Sequence, residues 1–467
     1  MTLEGCWAAR AALSQRATSP ALGAHRSTWC RRHPGPVTRD QPSSSAEPSR
    51  SIAGSSAPDR LTRRLGVGDA VVIGLGSMIG AGVFAAFAPA AAAAGAGLLL
   101  GLAVAAVVAF CNATASARLA ALYPESGGTY VYGRRRLGDF FGYLAGWGFV
   151  VGKTASCAAM ALTVGFYVDP GMARPIAVAA VAALTVLNYF GVHKSALATR
   201  LIVAVVLAVL VAVVIAGWAG DHPRAAHLSP ITGQGAHGVL QAAGFLFFAF
   251  AGYARIATLG EEVRDPARTI PRAIPVALGI TLVVYAALAV TVLAVLGAAR
   301  AGATSSPLVA VAQATPWGWL VPVVRAGAAL AALGSLLALL LGVSRTTFAM
   351  ARDRHLPGVL DAVHPRYGVP HRAELAVGVI VIAVVLAADV RGAIGFSSVC
   401  VLGYYAIANA SALTLDRDRG TKLIPALGLL GCLTVAVSLP PTSTIAGFAV
   451  LTAGALVWVG RRLAKRR

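Results

Sequence analysis

Acidic side chains are the scarcest chemistry in this chain, with 18 Asp and Glu against 39 Lys and Arg among 467 residues. None of the carboxylates falls in the middle of an apolar stretch. Charged residues amount to only 12% of the chain and aromatics to 7%. The six cysteines show no CxxC or metal-ligand spacing. Cys111, Cys157, Cys400 and Cys432 therefore read as packing residues, and Cys6 and Cys30 as thiols of a reducing compartment. The histidines form no HExxH pair, and GxSxG and Walker A sequences are missing. These gaps argue against a membrane-embedded enzyme, which needs clustered nucleophile, base or metal ligands, and against direct use of ATP. Nothing in the sequence calls for a cofactor or a metal.

What fills the chain is aliphatic. Hydrophobic residues make up 57% of it, and the mean hydropathy of +0.73 is far too apolar for a soluble protein of this length. Hydrocarbon about 30 Å thick needs roughly 20 apolar residues per helix. Twelve stretches qualify, at approximately 68–93, 97–122, 140–167, 175–190, 197–218, 239–260, 274–296, 319–348, 373–388, 394–415, 423–439 and 445–459. The runs are continuous and rich in Ala, Leu and Val, whereas a β-barrel would alternate apolar with polar. The expected fold is all-α, a polytopic membrane protein of about 12 transmembrane helices.

A net charge of +21 would suit nucleic acid, but its placement does not. Positive residues gather in alternate connections: the tail before Gly66, Arg134 to Arg136, Lys194 and Arg200, Arg264 to Arg272, Arg345 to Arg372, Arg417 to Lys422, and the terminal RRLAKRR. The intervening connections carry only Arg174, Arg224, Arg300 and Arg391. The positive-inside rule then puts both termini in the cytoplasm, with basic loops facing membrane lipids. Residues 1–60 are rich in Arg, Ser, Pro and Ala, have no signal-peptide core, and read as a disordered basic cytoplasmic tail. Residues 61–460 read as a single transmembrane domain and 461–467 as a basic cytoplasmic C-terminus.

Two interruptions within apolar stretches point to a site, GSMIGAG at Gly76 to Gly82 and FFAFAGYAR at Phe247 to Arg255. Helix-breaking residues at membrane depth are tolerated where backbone is buried in protein or lines a cavity. Gly76, Gly80 and Gly82 let the first helix end near Ser77 and restart near Val83, aiming free N–H groups and a positive dipole end into the bilayer centre, where a carboxylate is attracted. The second interruption would free the carbonyls of Phe248, Ala249 and Ala251 to accept bonds from an ammonium group. Together the two suit a zwitterion. The competing reading is a small-residue helix contact, since Gly76 and Gly80 also form GxxxG. Paired interruptions in corresponding halves favour a transporter site.

GLGSMIGAGVF resembles the first-helix signature of the amino acid, polyamine and organocation transporter superfamily, and FFAFAGYARIATLGEEVRDPARTIPRAI its sixth helix and following loop. YPESGGTYVYGRRRLGDFFGYLAGW (Tyr123 to Trp147) is similar to its loop and third-helix start, and SRTTFAMARDRHLPGVLDAVHPRYGVP (Ser344 to Pro370) to the loop after helix eight. The resemblance implies a 5+5 inverted repeat, about 66–220 and 235–415, with broken helices one and six, and two extra helices at about 421–460. It implies an amino acid permease working by alternating access in the plasma membrane. It also implies that the amides of Gly80, Ala81 and Gly82 hold the substrate carboxylate, and the carbonyls of Met78, Phe248, Ala249 and Ala251 its amine.

Two departures touch the coupling mechanism. Proton-coupled relatives place a Lys midway along helix five, where Val206 stands in this sequence, and many carry an acid after the GY of helix six, where Ala254 precedes Arg255. Cations within the spans are Lys153, Arg255 and Arg325, each a functional candidate because a charge at the bilayer centre costs at least about 2.5 kcal/mol. Lys153 is a candidate proton carrier or a packing residue. Arg255 is a candidate gate or substrate contact, and snorkelling to an interface is the alternative for it and for Arg325. Glu261 and Glu262 face Arg264, Arg268 and Arg272 in a loop stiffened by Pro266 and Pro271, either a latch that opens during transport or a static staple. The leading expectation is a secondary active amino acid permease, proton-coupled or exchanging. The alternatives are an organic amine or polyamine carrier, disfavoured by the lack of acids within the spans, and a non-transporting receptor or scaffold.

Overall fold

The computed structural model describes residues 65–123, 127–191, 196–219, 223–230, 233–257, 259, 262–415 and 419–464. The tail expected at 1–60, the terminal segment 465–467 and Glu261 lie outside them. The first span consists of α1 (Val67–Met78), α2 (Ala81–Ala85) and α3 (Phe87–Ala94), and the second of α4 (Leu98–Leu122). A short α5 (Thr129–Leu137) precedes α6 (Asp139–Val168), α7 (Ala173–Tyr189) and α8 (Ala196–Trp218). The sixth span is α9 (Gly235–Phe250) with α10 (Ala254–Ala257), and the seventh is α11 (Pro266–Ala303). After α12 (Pro307–Gln313) come α13 (Leu320–Arg352), α14 (His371–Ala387), α15 (Val390–Leu413), α16 (Arg419–Ser438) and α17 (Pro441–Ala464).

Among the described residues eleven helical runs are long and apolar enough to cross a membrane. The twelfth expected stretch is α14, shorter at 17 residues. Extended backbone pairs only at the isolated bridge between Leu65 and Val263 among the described residues. The chain is therefore an all-helical, polytopic membrane protein. The expected start of span seven near 274 moves back to Pro266, so the segment expected to be a stiff loop forms the first turns of α11. Pro266 suits that place because the N–H it lacks would have no helical partner there, and the reversal falls on Asp265, with φ at 45°.

Burial separates a centre from a periphery. The hydrophobic windows of α6 and α15 are each 72% buried, whereas those of α16 and α17 are 28% and 17% buried. The two final helices are thus attached to the outside of the bundle. Helices in lipid gain little from the hydrophobic effect and associate through close packing of small side chains. The abundance of Ala and Gly at the centre answers that need, with Ala81, Ala158 and Ala332 wholly buried. The four described cysteines are also buried and free, as packing residues should be.

The basic connections meet one another at one end of the bundle. Arg134 Nη1 donates to Asp353 Oδ2 at 2.6 Å, and Arg461 Nη1 donates to the His355 carbonyl at 2.8 Å. Arg136 donates to the Thr414 carbonyl, Arg200 pairs with Asp69, and Arg264 N donates to Leu65 O at 2.9 Å. The other end behaves differently. There Arg325 Nη1 donates to Val168 O at 3.3 Å, placing a cation against the negative end of α6, in line with its interfacial reading.

Tyr130 of α5 anchors the basic end. Its hydroxyl donates to Asp353 Oδ2 at 2.6 Å and lies 2.8 Å from His355 Nδ1, so the imidazole must be the donor in that second contact. Burial, and then the Arg134 charge, hold the His355 pKa below its ordinary 6.5. A base with a lowered folded pKa contributes stability above its unfolded pKa and loses it as pH falls through the folded value. Thermal unfolding in detergent is therefore expected to show a falling midpoint from about pH 7 to about pH 5. The fall should be smaller in His355→Gln, and an equal fall would remove His355 from the account.

Candidate functional site

The first span breaks where the glycines allow it. Ile79 N still donates to Leu75 O at 2.6 Å, but Ile79 turns to ψ 40° and Gly80 to φ −96°, ψ −136°, and a new helix starts at Ala81. The N–H groups of Gly80, Ala81 and Gly82 stand at its head, where no preceding helical carbonyl is available. A second, milder interruption at Ala86 follows from Pro89, whose ring displaces the carbonyl of Ala85.

Span six is interrupted in another way. α9 gives way to a 3₁₀ turn at Ala251–Tyr253 and resumes as α10. Phe250, Ala251 and Ala254 all keep right-handed helical angles, and Ala251 N still donates to Phe247 O. The backbone is tightened, which tilts carbonyls outward without unwinding the chain.

The two interruptions lie against each other. A Cβ on Gly82 would stand 2.6 Å from Ala249 Cα, and one on Gly252 would stand 2.3 Å from the Ser77 carbonyl oxygen. Met78, Gly80, Ala81, Gly82, Phe248, Ala249 and Ala251 are all buried; Met78, Gly82 and Ala249 lie at this contact, while Gly80 faces Ser335 of α13 and Ala81 packs with Val164 of α6 and Ala332 of α13. Side chains from other spans satisfy the turned-out carbonyls. The Tyr285 hydroxyl of α11 lies 2.5 Å from Met78 O and 3.2 Å from Ala249 O, bridging both interrupted spans. The Tyr405 hydroxyl of α15 donates to Ala251 O at 3.5 Å, and Ser335 Oγ of α13 donates to Gly76 O at 3.3 Å. Each hydroxyl has one proton to give, whereas an ammonium has three. The arrangement can therefore exchange tyrosine donors for a cationic group, and the free amides at the head of α2 can donate to an anionic one.

Tyr285, Tyr405 and Ser335 escaped the sequence reading. Their only signal was a polar atom inside an apolar run, which does not say which way a helix faces. Val206 of α8 is 1% exposed, and its neighbour Val203 packs 3.1 Å from a Cβ placed on Gly76. At Gly76 span five thus meets span one through methyl groups of Val203 and Thr199, and nearer the basic end through the pair of Arg200 and Asp69.

The coupling candidates are scattered. Lys153 is 8% exposed in α6 and has no hydrogen bond or ion pair among the described residues. Cys157, one turn on, belongs to a buried apolar cluster with Leu336, Leu340 and Val343 of α13. Arg255 is exposed at the basic end, with Glu262 and Arg345 as its charged neighbours. Glu262 itself is held through backbone, its carbonyl accepting Leu65 N at 3.2 Å. The loop after span six is pinned to the start of span one in this way, and Arg268 pairs with Asp265 at 3.6 Å. A residue not anticipated is Glu374, 4% exposed in the first turn of α14, whose carboxylate oxygens lack a hydrogen-bond partner among the described residues.

A bundle of membrane-crossing helices with two interrupted spans packed together at its centre is the architecture of a secondary transporter. Residues 69–451 match the amino acid permease family, and the chain belongs to that family. It is 68% identical over 414 residues to an uncharacterized transporter of Mycobacterium tuberculosis, covering 88% of this chain and 94% of the relative. It is 25% identical over 422 residues to a branched-chain amino acid permease of Bacillus subtilis, covering 83% and 90%. A vacuolar cationic amino acid transporter of Arabidopsis thaliana is 28% identical over 369 residues, covering 71% and 60%.

The contact between the interruptions tolerates no added atom. Gly252→Ala is expected to force spans one and six apart and lower the thermal midpoint in detergent by several degrees. Gly342→Ala, with nothing within 4 Å of the new Cβ, should be neutral or stabilising by up to about 1 kcal/mol. Equal midpoints for the two variants would mean that the contact has slack.

Proposed function

We propose that the protein is a secondary active permease of the plasma membrane that carries neutral amino acids by alternating access. The carrying observation is the break at Ile79 and Gly80, which sets helix-head amides beside the carbonyls bridged by Tyr285. The amides of Gly80, Ala81 and Gly82 receive the substrate carboxylate. The carbonyls of Met78, Phe248, Ala249 and Ala251 receive its ammonium, which displaces the hydroxyls of Tyr285 and Tyr405. The two interrupted spans head repeats of about 66–220 and 235–415, with α16 and α17 as additions. A neutral side chain is favoured because the contact is built from backbone, hydroxyl and apolar groups. The name of the Bacillus subtilis relative, a branched-chain amino acid permease, points the same way.

Both termini and the basic connections face the cytoplasm in this reading. Arg255 and Glu262, with Arg345, form the charged surround of the inner gate, and Glu261, the other candidate of that loop, lies outside the described residues. Transport is proton-coupled or runs as exchange. The buried Lys153, with no hydrogen bond or ion pair among the described residues, is the candidate proton carrier.

Purified protein in liposomes is expected to take up neutral amino acids saturably, and an inward proton gradient should accelerate uptake if coupling is to protons. Uptake only with internal substrate would indicate exchange, and no uptake of any amino acid or amine would leave the scaffold reading. Tyr285→Phe keeps the ring contacts with Phe87 and Phe250 and removes only the hydroxyl. It is expected to change transport about tenfold or more while leaving the midpoint within a few degrees. Lys153→Met should flatten the pH profile of uptake, and an unchanged profile would return Lys153 to packing.

A further inference from the structure

We propose that a crevice on the outer wall of the bundle, between α6, α14, α15 and α17, binds a single anionic glycerophospholipid, its acyl chain in the crevice and its phosphate at Arg372 and Arg461. The crevice encloses about 590 Å³ and is lined by apolar side chains with a few Ser and Thr, without a charged residue. It lies away from the contact between spans one and six. Its walls belong to the periphery: Ile380 of α14 is 53% exposed, and α17 exposes Ile445 and Leu456 by 69% and 66%. On membrane-crossing helices such surface faces lipid.

Length and direction single out one acyl chain. Ala376, Ile380 and Val384 recur every four residues along one face of α14 and line the crevice, which continues to Ala387 at the end of that helix. At 1.5 Å per residue the helix rises about 16.5 Å from Ala376 to Ala387, close to the roughly 15 Å of hydrocarbon in one leaflet. Arg372 stands one turn before Ala376 on the same face. The crevice is bounded at that mouth by Leu356 and Leu360, which belong to the basic connection after α13.

The mouth is built for an anion. Arg372 Nη1 donates to Val359 O at a long 3.4 Å, and Arg461 Nη1 donates to His355 O at 2.8 Å. Both side chains are exposed, and each guanidinium spends one of five N–H donors there. The donors that remain suit a phosphate diester, which guanidinium binds through paired hydrogen bonds, and basic pockets between spans are the setting in which anionic headgroups bind. The acids of that connection are Asp353, already paired with Arg134, and Asp361, against Arg352, Arg354, Arg366 and Arg372. At the far mouth Arg391 is stacked on the Phe245 ring at 5.5 Å, and Asp389 stands beside it.

The full chain, purified in mild detergent and offered equal phosphatidylglycerol and phosphatidylcholine, is to be weighed by native mass spectrometry. The expected result is a single phosphatidylglycerol adduct, preferred by about tenfold. The double variant Arg372→Gln with Arg461→Gln should lose the preference, and Ala376→Trp, which fills the crevice, should lose the adduct. Equal retention of both lipids by the wild type, or an undiminished adduct in Ala376→Trp, would overturn the proposal. So would a change of oligomeric mass in Ala376→Trp with lipid retention unaltered, which would assign the crevice to a second copy of the chain. A further check needs no variant of the walls apart from Trp147, which lines the crevice. Phosphatidylglycerol brominated on its acyl chain should quench tryptophan fluorescence less in Trp147→Phe than in the wild type, and equal quenching would likewise overturn it.

Discussion

A peptide group turned out of its helix at bilayer depth has no water to bind, and the centre of this protein is arranged around that constraint. Once α1 ends at Met78, its last carbonyls and the amides at the head of α2 need partners from elsewhere. Tyr285 supplies one from α11 and bridges to α9 with the same hydroxyl, while Ser335 supplies another from α13. Three other spans are therefore tied to the interruption in span one. Leaving such a group unpaired costs about 1 to 3 kcal/mol even in ordinary protein interiors, so the hydroxyls are part of what makes the break tenable.

The same economy governs charge. With few acids available, most cations are placed at one end of the bundle, where they bind carbonyl oxygens at the ends of other helices as often as carboxylates. Arg136 on Thr414 and Arg461 on His355 follow this pattern, and Arg325 binds the Val168 carbonyl in the same way at the opposite end. Exposed pairs such as Arg268 with Asp265 add about 1 kcal/mol at most. Pairs such as Arg134 with Asp353 and Arg200 with Asp69 instead join segments that are far apart in the chain. The network from Arg134 through Asp353 and Tyr130 to His355 links the segment before α6 to the one after α13.

Proposed transport and proposed lipid binding draw on different parts of this architecture. The contact between spans one and six is tight enough that an added Cβ meets backbone on either side. The crevice beside α14 is open, apolar and peripheral. Alternating access requires the interrupted spans to move against a steadier frame. The deeply buried α6 and α15 have the burial of such a frame, and the crevice runs along their outer side.

Much of the fold was legible in the sequence because membrane spans are written in length and hydropathy. The expected stretches fall on observed helices, and the alternate basic connections are those that touch one another. Span seven began earlier than expected because proline is compatible with a first helical turn as well as with a loop. At the site, glycine spacing was enough to locate both interruptions, since a glycine marks backbone freedom wherever it stands. It did not distinguish the real break at Gly80 from the 3₁₀ tightening at Ala251, because that difference lies in what packs alongside. Tyr285, Tyr405, Ser335 and the buried Glu374 were invisible for a related reason: in a helix apolar on every face, periodicity carries no information about which side meets protein and which meets lipid. By itself, then, the sequence determined which stretches form the apolar helices, which connections are basic and where its helices can yield. Only the tertiary structure decided which hydroxyl answers each turned-out carbonyl, because that depends on the rotation of each helix about its axis, a quantity fixed by contacts between spans distant in sequence.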